Sequence, residues 1–456
     1  MKPLSFVCVA AAFAISLCPR PVPAAAAAVS IPSVESSGGV TIVSQPDTAA
    51  SLVGVAFVVR AGLDRQTMKQ NGLAALVAEM IVRTPVTLPF DSTQGKPAQG
   101  NGTTLPLEDA VAARGGSVHF TVDSGDVRFY IEALAEDAPA VLQLFRNAIA
   151  APDFSPATVR ESRTALVRQI AQSQQVALQV GLDMLNQASS AQANAGLPEL
   201  GTPASLAQFF ASDARAFYRA YYRSGGALIS AAGRLDALPQ GALAILSTAL
   251  PQGTTTPVTV RVPALTGATH EIVAHRDISS PWLIAQYPAP NVNSNDFGPM
   301  LVLAAFVRRT LSDIAQVPGV VSPTFASHSV GAVYAYDRAP AALVLYVNGG
   351  LNGNPSRAFA TALSVVNVLA ATRLQGSIEE FKAEAAGDFA NDATTLETRT
   401  WLAAVFSRES ESPDFIKRAL AAISSTTPDD LQRVARIYLG NPTIALVLPR
   451  GTNLQD

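Results

Sequence analysis

The chain has 456 residues, too many for one hydrophobic core, so two or more domains are expected. Hydrophobic residues make up 48% and charged residues 15%, against about 25% charged in an ordinary soluble protein, which excludes a disordered chain. A net charge of −3 argues against a nucleic-acid binder, and no glycine period or sustained heptad points to a collagen or a coiled coil.

The first 28 residues read as a secretory signal peptide. Met1-Lys2 is a short positive start, Leu4 to Leu17 is an apolar run, and Ala24 to Ala28 offers Ala-x-Ala cleavage sites. The run is too short to cross roughly 30 Å of hydrocarbon. A lipid anchor at Cys18 is disfavoured, because Leu17 stands where a small residue is wanted. Cleavage removes both cysteines, Cys8 and Cys18, and with them every disulfide or thiolate metal site. It also removes Lys2 and Arg20 and no acid, so the expected mature charge is −5. No later apolar run is long enough to span a membrane, so a periplasmic or secreted product is expected.

A strand is expected over residues 53–62 and an apolar helix over 71–85. Residues 91–106 read as a polar, glycine-containing insertion. Residues 116–134 alternate as two strands around the turn Asp123-Ser124-Gly125-Asp126. A helix pattern follows over Ala138 to Ala150, then a helix capped by Ser155. From Asp213 a helix carrying Tyr221, Tyr222 and Arg223 breaks into an apolar strand. Pro251 to Ala268, rich in Thr, Pro and Gly, is the expected linker. In the second half, Ala341 to Gly349 reads as a strand and Ser356 to Ala371 as a helix. Ser377 is the expected N-cap of the next helix, with Glu380 in capping-box position. The stretch from Asp430 repeats the one from Asp213 at an offset of 217 residues, with Tyr438 matching Tyr221. The expected fold class is therefore α+β, a duplicated pair of α/β-sandwich-like domains at 38–240 and 269–450 with a linker at 251–268.

This duplicated pattern resembles the insulinase/pitrilysin family of zinc peptidases, which includes the mitochondrial processing peptidase and its bacterial relatives. The carriers are VGVAFVVRAG (53–62), NGLAALVAEMIVRTP (71–85), GGSVHFTVDSGDVRFYIEAL (115–134), LPELGTPASL (197–206) and AFYRAYYRSGGALISAAG (216–233), in the family's order. The family binds zinc through His-x-x-Glu-His on a helix plus a later glutamate. Positions i and i+4 share a helix face, so both imidazoles reach one ion while the glutamate activates its water. The resemblance places Ala75 at the first histidine, Ala78 at the general base and Glu79 at the second histidine, with the third ligand on or near Gln169. A catalytic zinc needs three protein ligands and an open position, so zinc is expected of the family and not of this chain. The four histidines, His119, His270, His275 and His328, show no i, i+4 spacing. The family's substrate-holding arginine and tyrosine fall on Ala315 and Ser322, whereas Arg309 matches the arginine that precedes that helix.

Each remaining candidate has a bland reading. Glu79 reads as a partly exposed helix residue, and His119 as a rim histidine. Tyr221 and Tyr222 read as packing residues beside a capping Arg223, and Trp282 and Trp401 as packing residues. The family's substrate adds as a strand to a sheet edge, and here that edge is Val118, His119, Phe120, Thr121 and Val122. The resemblance implies a non-catalytic subunit that forms half of a clamshell with an active His-x-x-Glu-His partner and contacts the peptide. Two alternatives stand beside it: a stand-alone or homodimeric peptide-binding protein, and a residual zinc peptidase with displaced ligands.

Overall fold

The computed structural model describes residues 32–87, 104–189, 194–255, 270–315, 330–338, 340–349, 377–410 and 414–452. The expected signal peptide, most of the 91–106 insertion, most of the linker and the helix at Ser356 to Ala371 lie outside them. In the first half, β1 (Ser33–Ser37), β2 (Val40–Pro46) and β3 (Leu52–Val59) lead into α1 (Leu73–Val82). The short pair β4 (Pro85–Thr87) and β5 (Thr104–Pro106) precedes α2 (Leu107–Ala112), β6 (Ser117–Val122) and β7 (Val127–Leu134). Then come α3 (Ala138–Ala150), α4 (Pro156–Ser173), α5 (Ala177–Ser189), the one-turn α6 (Pro203–Leu206), α7 (Ala211–Tyr221), β8 (Leu228–Gly233) and the one-turn α8 (Ala244–Ser247). The second half has β9 (His270–Arg276), β10 (Trp282–Pro288), α9 (Phe297–Ala315), β11 (Val330–Ala335) and β12 (Ala342–Asn348). It continues with α10 (Glu379–Asp392), α11 (Leu396–Ser410), α12 (Phe415–Ser425), α13 (Pro428–Tyr438) and β13 (Thr443–Pro449).

The two sheets share one topology. The first runs β1-β2-β8-β3-β7-β6 and the second β11-β12-β10-β13-β9. In each, the half's first long strand pairs parallel with its last, β2 with β8 and β9 with β13, and the other described pairings are antiparallel. The correspondence is β2 with β9, β3 with β10, β6 with β11, β7 with β12 and β8 with β13; β1 is an addition to the first sheet. The 217-residue offset holds for α7 and α13 at both ends. Both open with an aspartate that reaches back to the N-cap amide, Asp213 accepting from Phe210 at 2.8 Å and Asp430 from Thr427 at 3.0 Å; at α13 the Thr427 hydroxyl also accepts from the Asp430 amide at 3.2 Å and completes a capping box. Gly233, at φ +101°, ends β8 with its α-carbon against the backbone of Leu52; an added Cβ there would lie 2.2 Å from the Leu52 carbonyl oxygen.

Strands β3 and β8 are apolar apart from the buried Ser230, because both of their faces are covered. One face packs against the first half's own helices. The other is covered by α11 of the second half, where Trp401 and Ala404 meet Val58 and Leu228. The exchange is reciprocal. Helix α5 of the first half lays Ala177, Val180 and Leu185 on Ile284, Val344, Ala445 and Val447 of the second sheet. A glycine makes room at each crossing. A Cβ at Gly181 of α5 would lie 2.4 Å from Ile284 Cδ1, and one at Gly54 of β3 would lie 2.8 Å from Leu396 Cβ.

Polar contacts tie the same elements together. Arg408 pairs with Asp126, Arg399 with Asp47 at 3.3 Å, and the Trp401 indole donates to Asp337 at 3.0 Å. The Arg128 guanidinium lies 4.2 Å from the centre of the Trp401 ring. Tyr222 is fully buried and stacks on Tyr218 at 4.9 Å, while Arg223 donates to the Arg219 carbonyl at 2.6 Å at the end of α7. Tyr438 donates to Asp296 at 3.1 Å.

Two local expectations change. Helix α10 has Ile378, not Ser377, as its N-cap, and Ser377 accepts from the Glu379 amide at 3.3 Å. Glu380 then sits in the second position and turns outward to Arg309 at 2.8 Å instead of reaching back. Arg309 itself lies inside α9, not before it, because the apolar pattern carries that helix through Phe297–Ala315.

Candidate functional site

Helix α1 begins at Gly72, whose φ of +92° only glycine adopts easily and whose α-carbon lies close against Gly201. With no side-chain cap at Gly72, Gln66 takes that role, accepting from the Ala74 amide at 3.0 Å. All ten residues of α1 are buried, so the helix is enclosed by its neighbours α4, α7 and β6. Ala75 and Ala78 are 0% exposed.

Glu79 is 3% exposed, which overturns the partly exposed residue expected from the sequence. Its carboxylate accepts from Arg83 Nε at 2.6 Å, one turn along the same face, and Arg83 Nη1 reaches Glu108 at 3.2 Å. Burial pushes the Glu79 carboxyl up despite the opposing Arg83 charge and hydrogen bond. For Arg83, burial pulls the guanidinium down, but Glu79, with Glu108 and Glu161, outweighs it and the net direction is upward. A buried carboxylate can stay in an apolar helix only if paired, and the i, i+4 arginine supplies the pair.

The position matched to the third ligand, Gln169, is exposed on α4 and lines a groove whose wall includes none of Ala75, Ala78 and Glu79. Among the described residues no three His, Cys, Asp or Glu side chains converge as a metal site would require. His119 bonds Glu397 at 2.9 Å, and His275 bonds the Thr452 carbonyl oxygen at 3.1 Å. The His270 side chain and the whole of His328 lie outside the described residues, as does Ser322; Ala315 is the last residue of α9. A zinc ion does not fit the donors present around α1: two alkyl side chains and one carboxylate already bound to a guanidinium.

Strand β6 is the end strand of its sheet. It pairs with β7 from Ser117↔Glu132 to Val122↔Val127, and among the described residues nothing pairs with its outer side. Its side chains alternate. Val118 and Phe120 pack inward on the first core, and Val122 is buried. His119 and Thr121 face the covering helix α11: His119 reaches Glu397 on it, and Thr121 accepts from Arg128 at 3.1 Å. The His119 and Tyr130 rings lie 5.4 Å apart. A groove of about 920 Å³ runs beside Phe120, Thr121 and Val122. Its other wall comes from the end of α4, from α5, from residues 198–203 and from Arg276 of β9. The two halves therefore build it together. Sequence reasoning found the edge strand but not the groove, because α5 and Arg276 come together only through the exchanged packing.

Among the described residues the outer backbone donors and acceptors of β6 are unpaired in the sheet, with a partly apolar trough beside them. Among the described residues no helix is long and apolar enough to cross a membrane.

The profile of Insulinase (Peptidase family M16) matches residues 40–202, which span β2 through the loop after α5. Among solved structures, a protease from Helicobacter pylori is 13% identical and aligns with a TM-score of 0.77 over 92% of this chain and 100% of that one. A peptidase M16 inactive domain from Pseudomonas fluorescens is 13% identical, with a TM-score of 0.73 over 92% and 98% of the two chains. A chain of Complex III2 from Candida albicans is 14% identical, with a TM-score of 0.70 over 91% and 95%. No curated protein matches the sequence. The family's profile matches within the first half, and the fold of these solved chains runs through both halves.

Proposed function

We propose that the chain is a catalytically silent M16 subunit that holds an extended peptide along the β6 edge, requires no zinc, and completes a chamber with an active His-x-x-Glu-His subunit. The observation that carries this reading is the pairing of a metal-incompetent α1 with an open edge strand. Ala75 and Ala78 provide no ligand or base, Glu79 is engaged by Arg83, and among the described residues β6 keeps its outer side free beside the groove. The likeness to an M16 inactive domain and to a chain of a multi-subunit complex supports it. The peptide residues run along Val118, His119, Phe120, Thr121 and Val122. Residues 38–240 and 269–450 act as the two homologous domains, joined by 251–268; every strand of the two sheets except β1 (Ser33–Ser37) falls within those bounds. Residues 1–28 act as a cleaved export signal, which places the protein in the periplasm or outside the cell.

The test is purification of the chain alone and co-expressed with an M16 subunit that carries the intact motif. The expected result is no stoichiometric zinc and no chelator-sensitive cleavage by the chain alone, co-purification with the partner, and partner activity that depends on the pair. A partner fully active alone and never co-purifying would remove the heterodimer and leave a peptide-binding protein working alone or as a homodimer. Stoichiometric zinc with chelator-sensitive cleavage by the chain alone would overturn the silent reading.

A further inference from the structure

The hairpin of β6 and β7 is tied to the second half at three points along one helix. Helix α11 lies over β3 and β8 and reaches the hairpin through long side chains. Glu397, in its first turn, bonds His119 of β6 at 2.9 Å. Trp401, one turn on, lies under the Arg128 guanidinium of β7 at 4.2 Å, and its indole is held by Asp337 of the β11–β12 turn at 3.0 Å. Arg408, two turns further, pairs with Asp126 in the turn between β6 and β7, which Arg60 approaches at 3.8 Å. Asp126 and Trp401 are buried, so these two ties are shielded from water, whereas the His119 contact is half-exposed. The first half braces the other side of the turn: the Leu63 amide donates to the Asp123 carbonyl at 3.0 Å and the Asp64 amide to that of Ser124 at 2.7 Å.

The duplication supplies an internal comparison. Helix α5 covers the second sheet as α11 covers the first, yet it is seated by an apolar cluster, and its one charged residue, Asp183, bonds Gln179 within the same helix. Apolar burial alone therefore suffices to seat a helix of this kind. The polar reach of α11 is additional to covering the sheet, and it falls on the hairpin whose outer strand is unpaired among the described residues. A strand paired on one side only depends for its order on that neighbour, on the turn and on whatever braces them. We propose that α11 is the splint of the peptide edge: Glu397, Trp401 and Arg408 are positioning residues that hold β6 in place, so the second half sets how well the first half takes an added strand. The proposal rests on the strand-addition reading above and adds its regulation. A shift of α11 on the first sheet changes the edge with no change in the residues that touch the peptide.

The experiment uses the full chain, hydrogen exchange read by mass spectrometry on fragments covering 117–134, and the anisotropy of fluorescein-labelled casein, an unfolded chain that offers many extended sequences. In Glu397→Gln combined with Arg408→Met, exchange over 117–134 is expected to quicken about tenfold while α3 and β8 keep wild-type protection. Casein affinity falls about tenfold, because the strand must then be ordered on binding. Arg408→Lys keeps a cation at the turn and retains most of the protection and the affinity. Arg399→Met is the control: it breaks a pair on the same helix but away from the hairpin, with Asp47 after β2 at 3.3 Å, and leaves exchange over 117–134 and casein affinity at wild-type values. Unchanged hairpin exchange in the double variant overturns the splint, and so does equal loosening by Arg399→Met. A loosened hairpin with undiminished casein affinity overturns its role in binding. Wild-type protein that takes up no casein overturns the strand-addition reading instead, and the exchange measurements then decide the splint alone.

Discussion

The pair formed by Glu79 and Arg83 makes a quantitative demand. Arg83→Met removes the guanidinium and keeps most of the stem, so Glu79, 3% exposed, loses the donor now 2.6 Å from its carboxylate. Removing one partner of a buried pair costs about 3–5 kcal/mol. The Arg83 side chain is 24% exposed, which lets water screen the pair and sets the expected loss near the lower end, about 3 kcal/mol. An unfolding entropy of about 2.1 cal/mol/K per residue over a chain that unfolds as one unit makes this a drop in Tm of roughly 3–4 °C. The loss shrinks on acidification, because Glu79 left without a cation protonates readily and its neutral form tolerates burial. Glu79→Gln combined with Arg83→Met restores most of the loss, since a neutral pair leaves no buried charge. Urea unfolding of wild type, both single variants and the double variant at pH 5 and pH 8 completes the cycle. An Arg83→Met protein within about 0.5 kcal/mol of wild type at pH 8 would refute the claim that this arginine is what allows the glutamate inside α1.

The exchanged helices and one acid near the hairpin give two further outcomes. Gly181→Val places a Cβ 2.4 Å from Ile284 Cδ1, so α5 must lift from the second sheet; a loss of about 1–3 kcal/mol is expected, with both halves still unfolding in one transition, and calorimetry showing two separated transitions in wild type would contradict the coupling. Burial pushes the Asp64 carboxyl up to about 6, with Arg65 opposing and Asp126 adding. A folded-state value above the unfolded one means that stability is fully present below about pH 4 and is lost as pH rises through about 6. Asp64→Asn is therefore neutral near pH 4 and stabilising by about 1–3 kcal/mol at pH 8, read from urea midpoints at the two pH values; destabilisation at pH 8 would contradict it.

The parts of the fold fixed by local chemistry were legible in the sequence. The acids that open the repeat at Asp213 and Asp430, the turn at Asp123 to Asp126 and the Ser155 cap each depend on residues within a few positions of one another. The duplication showed for the same reason, since its carriers are short and local. What depends on contact between the halves did not show. Nothing within α11 marks it as a cover for the other half's sheet, because its residues Trp401 and Ala404 pack against Val58 and Leu228 some 170 or more residues away. The same packing hides the groove. Glu79 was misplaced on different grounds: a lone glutamate in an alanine- and leucine-rich helix reads as the exposed stripe. The burial of all ten residues of α1 removes that stripe, and the signal that mattered was Arg83 four residues later. The Ser377 cap failed by one position, which is the usual uncertainty of helix ends.

The reciprocal helix exchange also sets a timetable. The first sheet is complete when Gly233 has been made, yet the helix that covers its outer face ends at Ser410. At about 5–20 residues per second, the intervening stretch takes roughly 10–35 s to synthesise. For that interval Val58 and Leu228 lie on a bare apolar face, and α5 has no sheet to rest on. Neither half completes its burial ahead of the other, so the outer face of the first sheet waits for α11.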